Sequence, residues 1–303
     1  MSNSNSSIMS FPSRGEWGKA SWRGNCSGHV YRTLFEQILV GLADPVFIDP
    51  MMGSGTSIDV CKDMNIRAHG LDLHMGFNAL RDSILERTGE PGNLVLSHPP
   101  YGGQIKYSGE VWGETPHPDD LSHCVDDEDF HNKLAYCVLN QRDATVDGGY
   151  YGVIIGDWRR RGNYTSYQAE LIARMPSDEL AGVLIKAQHN TMSSFKKYAG
   201  KTALPFITHE YIVLFAKKAR TVLDVLAITA REAHARLQGT WRNVVKLVLM
   251  KLGGSAPLQK IYEAVSAATD KVASNPNWQA KVRQTLQLHA EFARSERGVW
   301  ALA

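Results

Sequence analysis

Long hydrophobic runs are missing from this chain. No stretch of its 303 residues approaches the roughly 18 uncharged apolar residues that a bilayer-spanning helix needs, so no membrane partner is expected. The start, Met1-Ser2-Asn3-Ser4-Asn5-Ser6-Ser7, has no apolar signal core, which predicts a cytoplasmic protein. Cysteine is scarce as well. Cys26, Cys61, Cys124 and Cys137 lie far apart and form no Cys-x-x-Cys pair, which argues against a disulfide framework or a zinc ribbon and fits a reducing compartment. There is no internal repeat, and only the Ser/Asn-rich first ten residues look low in complexity. An apolar content of 43% excludes wholesale disorder, and the length suits one large or two ordinary domains of about 150 residues each.

Net charge is also small, at +2, but it is unevenly divided. Residues 219–303 carry 12 Lys and Arg against 6 Asp and Glu, whereas residues 1–218 carry 21 against 25. The basic C-terminal quarter is therefore the part expected to face a polyanion.

From Val46 onward, short β-rich runs alternate with helical periodicity. The runs are 46–48, 68–71, 94–96, 151–155, 182–185 and 211–215, with helical patterns at 130–139 and 168–175. Continuous apolar strands separated by helices predict a doubly wound α/β domain with a parallel sheet. Ligands of such sheets sit beyond the carboxyl ends of the strands. After Lys217-Lys218 the pattern changes to a connecting helix, 219–239, and then to helices at 241–252, 258–268 and 278–290 with a strand-like Gly298-Val299-Trp300. Three short helices and a β-wing over 240–303 predict a winged helix-turn-helix. The remaining boundaries are a flexible 1–19 and a principal domain over 20–218.

Two stretches carry chemistry. In Phe47-Ile48-Asp49-Pro50-Met51-Met52-Gly53-Ser54-Gly55-Thr56 a strand runs into a glycine-rich turn and a helix. The glycines let a ligand approach the backbone, and Ser54 and Thr56 are candidate helix caps at an anion-binding N-terminus. No Gly-Lys-Ser/Thr is present, and the third glycine of a dinucleotide fingerprint is missing, so neither of those motifs applies. In Leu94-Val95-Leu96-Ser97-His98-Pro99-Pro100-Tyr101, two prolines stop a buried strand and force a rigid extended loop ending in an aromatic. Such a loop suits an enzyme that holds a flipped base, with Tyr101 stacking on it and the loop accepting hydrogens from its amine.

Asp-Pro-x-x-Gly-Ser-Gly-Thr followed by His-Pro-Pro-Tyr resembles the DNA amino-methyltransferase family, which modifies adenine N6 or cytosine N4. The resemblance spans about residues 20–218 and implies a Rossmann-like S-adenosylmethionine-dependent methyltransferase sheet. It assigns Asp49, Pro50, Gly53, Ser54, Gly55 and Thr56 to S-adenosylmethionine, Asp49 and the loop backbone holding its amino-acid end. Asp72, closing Gly70-Leu71-Asp72, matches the acidic ligand for both ribose hydroxyls. Ser21 to His29 falls where the family closes a segment over the methionine part. His98, Pro99, Pro100 and Tyr101 match the catalytic tetrapeptide, except that the family has Asp, Asn or Ser where this chain has His98. A neutral imidazole has one acceptor nitrogen and an imidazolium none, so His98 must be neutral to accept from an amine. Ser97 is the alternative acceptor. Adenine N6 is the expected target and cytosine N4 the alternative. RNA or protein methylation, and a non-enzymatic DNA-binding regulator, are the competing functions.

Double-stranded DNA is the expected partner, with the oligomeric state open. Arg159, Arg160 and Arg161 lie just beyond the 151–155 strand, and Lys196-Lys197-Tyr198 interleaves cations with an aromatic; both are candidate DNA contacts. Residues 280–287 would form the recognition helix, offering Gln279, Lys281, Arg283, Gln284 and Gln287 to a major groove while Val282 and Leu286 face inward. The acidic run 119–129, with His117, His123, Cys124 and His131, fits no recognised ligand set, so no metal is expected, and most of the run reads as a solvated loop leading into a helix N-terminus, where carboxylates favour the dipole.

Overall fold

A computed structural model describes residues 6–101, 103–160, 163–189, 205–237, 240–273 and 275–303. The chain forms two compact units that divide between Val225 and Leu226, inside the helix Val222–Leu237.

The first unit contains strands β1 (Ile8–Ser10), β2 (Val46–Asp49), β3 (Arg67–Gly70), β4 (Gly92–Ser97), β5 (Thr145–Ile155), β6 (Trp158–Arg160), β7 (Asn163–Thr165), β8 (Leu180–Ala187) and β9 (His209–Ala216). Its helices are α1 (Gly28–Ile38), α2 (Thr56–Asp63), α3 (Ile84–Thr88), α4 (Asp127–Asp143) and α5 (Tyr167–Arg174). Seven strands make one sheet in the order β1-β8-β9-β5-β4-β2-β3. Alternate residues of its buried strands point to opposite faces. Phe47, Leu94, Leu96 and Ile154 pack with Val30, Leu34 and Phe35 of α1 and Val60 of α2. Ile48, Val95, Val153 and Ile155 pack with Phe130, Leu134 and Val138 of α4 and Leu171 of α5. Burial on both faces is why these strands read as unbroken apolar runs. This is a Rossmann-like doubly wound α/β fold.

Two expectations are corrected. The sheet is mixed, because β9 runs antiparallel to both of its neighbours, β5 and β8. The N-terminal segment is not a loose tail from Ile8 onward. β1 pairs parallel with β8, Met9 is buried, the Trp17 indole donates to Asp63, and the Gly18 amide donates to Asp59. Apolar Met9 and Phe11 follow the polar start and supply the contacts that composition alone hid.

The second unit begins within the boundary helix, α6 (Val222–Leu237), and continues with α7 (Trp241–Lys251), β10 (Ser255–Pro257), α8 (Leu258–Ala268), α9 (Trp278–Leu288), β11 (Phe292–Glu296) and β12 (Val299–Leu302). Thr240 caps α7 by accepting from the Asn243 amide at 3.2 Å. The strands form an antiparallel sheet in the order β10-β12-β11, with Gly298 in the left-handed region at the tight turn. Val244, Val245, Val248, Leu249, Ile261, Val265, Val282, Leu286 and Phe292 build a separate core. No helix among the described residues is long and apolar enough to cross a membrane.

Candidate active site

Strands β2, β3, β4 and β5 end at one rim of the sheet, and antiparallel β9 begins there. Two cavities open at that rim. The first, about 90 Å³ of space for the centres of water molecules, is walled by Pro50, Gly53, Ser54, Thr56 and Asp72 together with Trp22, Phe77, Leu80 and Leu121. It lies at the switch point where β2 separates β3 from β4, the position at which open α/β sheets bind ligands.

The loop after β2 is shaped by its glycines. Gly53 and Gly55 have φ of 53° and 84°, a region costly for any residue with a Cβ. A Cβ on Gly53 would also stand 3.0 Å from the Trp22 ring nitrogen. Gly55 is the N-cap of α2 and no side chain caps that helix, so Ser54 and Thr56 do not play the capping part expected of them. The Thr56 hydroxyl donates to Asn25 instead, tying the 21–29 segment over the loop. The Ser54 hydroxyl is buried on the cavity wall without a partner among the described residues.

Asp49 is corrected too. Its carboxylate turns into the loop, accepting from the Met51 amide at 3.0 Å and the Ser57 hydroxyl at 2.5 Å, and it lines neither cavity. Burial pushes its pKa up to about 7 against those two donors. Asp72 does reach the first cavity, but the Gly53 amide, the His74 amide and the His74 ring already occupy it. Three of about four acceptor positions are filled, which leaves room for one hydroxyl rather than the two expected. The acidic run is not wholly solvated. Asp120 is buried and accepts from Ser108 and Ser122; burial opposes its charge, but these donors hold its pKa below the ordinary value.

The second cavity, about 360 Å³ on the same measure, is walled by His98, Pro99, Pro100 and Tyr101 together with Arg14, Gln104, Lys186 and Glu210. Five residues, Gly24, Asn25, His98, Pro100 and Tyr107, line both cavities, so the two meet across the His98–Pro100 turn. Ser97 is fully buried, hydrogen-bonded to Gln141 at 2.6 Å, and lines neither cavity. Of the two candidate acceptors, only His98 is on the wall. The Tyr101 ring rests on Gly156, where an added Cβ would come within 3.1 Å of it.

Motif reading missed Lys186 and Glu210. They are register partners on β8 and β9, 24 residues apart, and both are buried. They form an ion pair, and Glu210 also accepts from the Tyr101 hydroxyl at 2.5 Å. Burial would raise the Glu210 pKa, but the Lys186 charge and His98 hold it well below the carboxylate range. Burial pushes the nearby Cys26 thiol up to about 11. The local signal, a charged residue in each of two apolar strands, gave no hint that the two would be partners.

The proposed DNA contacts fall into three groups. Arg159 is half-buried, donates to the Pro205 carbonyl at 3.1 Å and stacks over Tyr164, whereas Arg160 is exposed over Trp158. Arg161, Lys196 and Lys197 lie outside the described residues. On α9, Gln279, Lys281, Arg283, Gln284 and Gln287 are all exposed while Val282, Thr285 and Leu286 are buried. Arg283 donates to the Tyr262 hydroxyl at 3.0 Å, and Lys281 to Gln284 at 3.1 Å.

No family profile matches the chain, and no curated protein does. Several solved structures are similar to it. One is a Thermus thermophilus protein named as a candidate DNA modification methylase, at 14% identity over 59% of this chain and 54% of that one, with a TM-score of 0.31. TrmN from Thermus thermophilus aligns at 13% identity over 64% and 50%, with a TM-score of 0.37. A Listeria monocytogenes protein named as a candidate class I S-adenosylmethionine-dependent methyltransferase aligns at 14% over 63% and 59%, with a TM-score of 0.36. The chain thus spans between half and three fifths of the length of these three structures. The class that fold and site define is a Rossmann-like α/β protein with paired cavities at its carboxyl rim, and that class rests on the strand order and the lining residues above.

Proposed function

We propose that the chain is an S-adenosylmethionine-dependent DNA methyltransferase acting on the exocyclic amine of a flipped base, adenine N6. The observation that carries this reading is the junction of the two cavities at His98 and Pro100. Group transfer needs donor and acceptor held in contact, and a shared wall between two cavities is suited to that.

The first cavity fits the cofactor in one respect: the Ser54 hydroxyl is buried on its wall with no partner among the described residues. Pro50, Gly53, Ser54 and one acceptor position of Asp72 would hold S-adenosylmethionine, which when bound supplies an electrophilic methyl group on a sulfonium sulfur. In the second cavity His98 accepts a hydrogen from the target amine, and Pro99 and Pro100 keep the loop extended. Tyr101 presents an aromatic wall of the kind that flipped bases stack on. The second unit reads as a winged helix, α8 and α9 forming the helix pair and β11–β12 the wing. Its exposed Lys281, Gln284 and Gln287 suit double-stranded DNA.

The test is transfer of a tritiated methyl group from S-adenosylmethionine to unmethylated DNA, to RNA and to ribosomal extract. Label recovered from DNA as N6-methyladenine is the expected result. Label on cytosine, RNA or protein would reassign the substrate. DNA binding with neither cofactor binding nor turnover would favour a non-enzymatic regulator.

A further inference from the structure

Glu210 is not part of either sequence motif, yet its carboxylate holds three side chains of the second cavity. One oxygen accepts from the Tyr101 hydroxyl at 2.5 Å and stands 3.7 Å from His98 Nε2. The other is ion-paired with Lys186. The charge is 3% exposed, and a carboxylate is rarely kept in such surroundings without partners that make use of it.

We propose that Glu210 is a positioning residue that fixes the tautomer of His98, placing the proton on Nε2 and leaving Nδ1 as the bare acceptor. This rests on the acceptor role given to His98 above. In a neutral imidazole, the nitrogen that carries the proton is decided by what faces the ring. A carboxylate in front of Nε2 favours N–H there and disfavours a lone pair. At 3.7 Å the influence is electrostatic rather than a formed hydrogen bond, and such contacts tighten when the site is filled. Without the carboxylate the ring divides between two tautomers, and only one offers its lone pair to an amine. The Tyr101 contact means the same group steadies the aromatic wall. Lys186 keeps Glu210 ionised; Cys26, Tyr31 and Tyr107 are the other ionisable groups that interact with the carboxylate, and Arg14 and His189 line the same cavity.

Long-range proton–nitrogen NMR of the full chain labelled with ¹⁵N-histidine reads the tautomer directly, with His98→Gln assigning the signals. Wild type is expected to show a single Nε2–H form. Lys186→Met/Glu210→Met, which leaves no buried charge unpaired, is expected to show a mixture of both forms. If that double variant does not fold, Glu210→Gln carries the test, with a partial shift in the same direction expected. A proton on Nδ1 in wild type, or an unchanged spectrum in the variant, overturns the proposal. In the methyl-transfer assay the variant's kcat should fall in proportion to the share of the Nε2–H form left in its spectrum, about 2-fold for an equal mixture, with KM for the methyl donor unchanged. A raised KM with kcat preserved also overturns it. A wild type that methylates nothing would refute the methyltransferase reading while the tautomer result still decides this one.

Discussion

Replacing Asp49 with Asn should flatten the pH dependence of stability between about pH 4 and pH 7. Asp49 is 1% exposed, and burial lifts its pKa from 3.8 to about 7 despite the Met51 and Ser57 donors. Below pH 3.8 the folded and unfolded chains both hold this proton. Between the two values the folded chain keeps it and the unfolded chain has released it, so stability falls as pH rises. Above about 7 the loss is complete. The gap, at about 1.4 kcal/mol per pH unit, amounts to about 4 kcal/mol. Asn keeps the shape and an acceptor but has no proton to lose, so Asp49→Asn should gain on wild type by up to that amount between pH 4 and pH 7. Urea unfolding of both proteins at half-unit steps of pH measures the difference. Two parallel stability curves would refute the reasoning and show that the hydrogen bonds, not burial, set the protonation of this carboxyl.

Other outcomes follow from contacts elsewhere in the fold. Arg142 and Glu179 are 1% and 0% exposed and bidentately paired at 2.8 and 2.7 Å, so Arg142→Met should cost about 3–5 kcal/mol in urea unfolding, and Arg142→Met/Glu179→Leu should recover only part of it, because the Tyr151 hydroxyl and the Lys218 and Arg220 carbonyls lose their partners. Gly156→Ala places a methyl 3.1 Å from the Tyr101 ring; methyl transfer should fall while calorimetric affinity for S-adenosylmethionine holds. Unaltered transfer would show that Tyr101 is not held by this contact. Lys281→Ala should lower the slope of log affinity for DNA against log salt by about 1, and an unchanged slope would remove α9 from the phosphate contacts.

Both loops of the site were legible because their conformations are decided within a few residues. Gly53 and Gly55 adopt left-handed backbone that other residues resist, and Pro99-Pro100 cannot continue a central strand. The helices after residue 240 were readable to within two residues at their ends, since the apolar period marks them locally. The expected roles of Asp49, Ser54 and Thr56 could not be settled in this way. Each depends on where a side chain turns once Trp22, Asn25 and Ser57 are packed against it.

Local backbone preference and apolar pattern, both properties of neighbouring residues, fixed the α/β layers and put two distinctive loops at strand ends. What only the tertiary structure decided is the company those loops keep. Glu210 lies 109 residues from Tyr101 and meets it because β9 runs against the sheet, bringing its first residues to the rim where its antiparallel neighbours β5 and β8 end. Strand direction and register are settled by the packing of the whole sheet, so the buried pair of Lys186 and Glu210 exists only once the chain has folded.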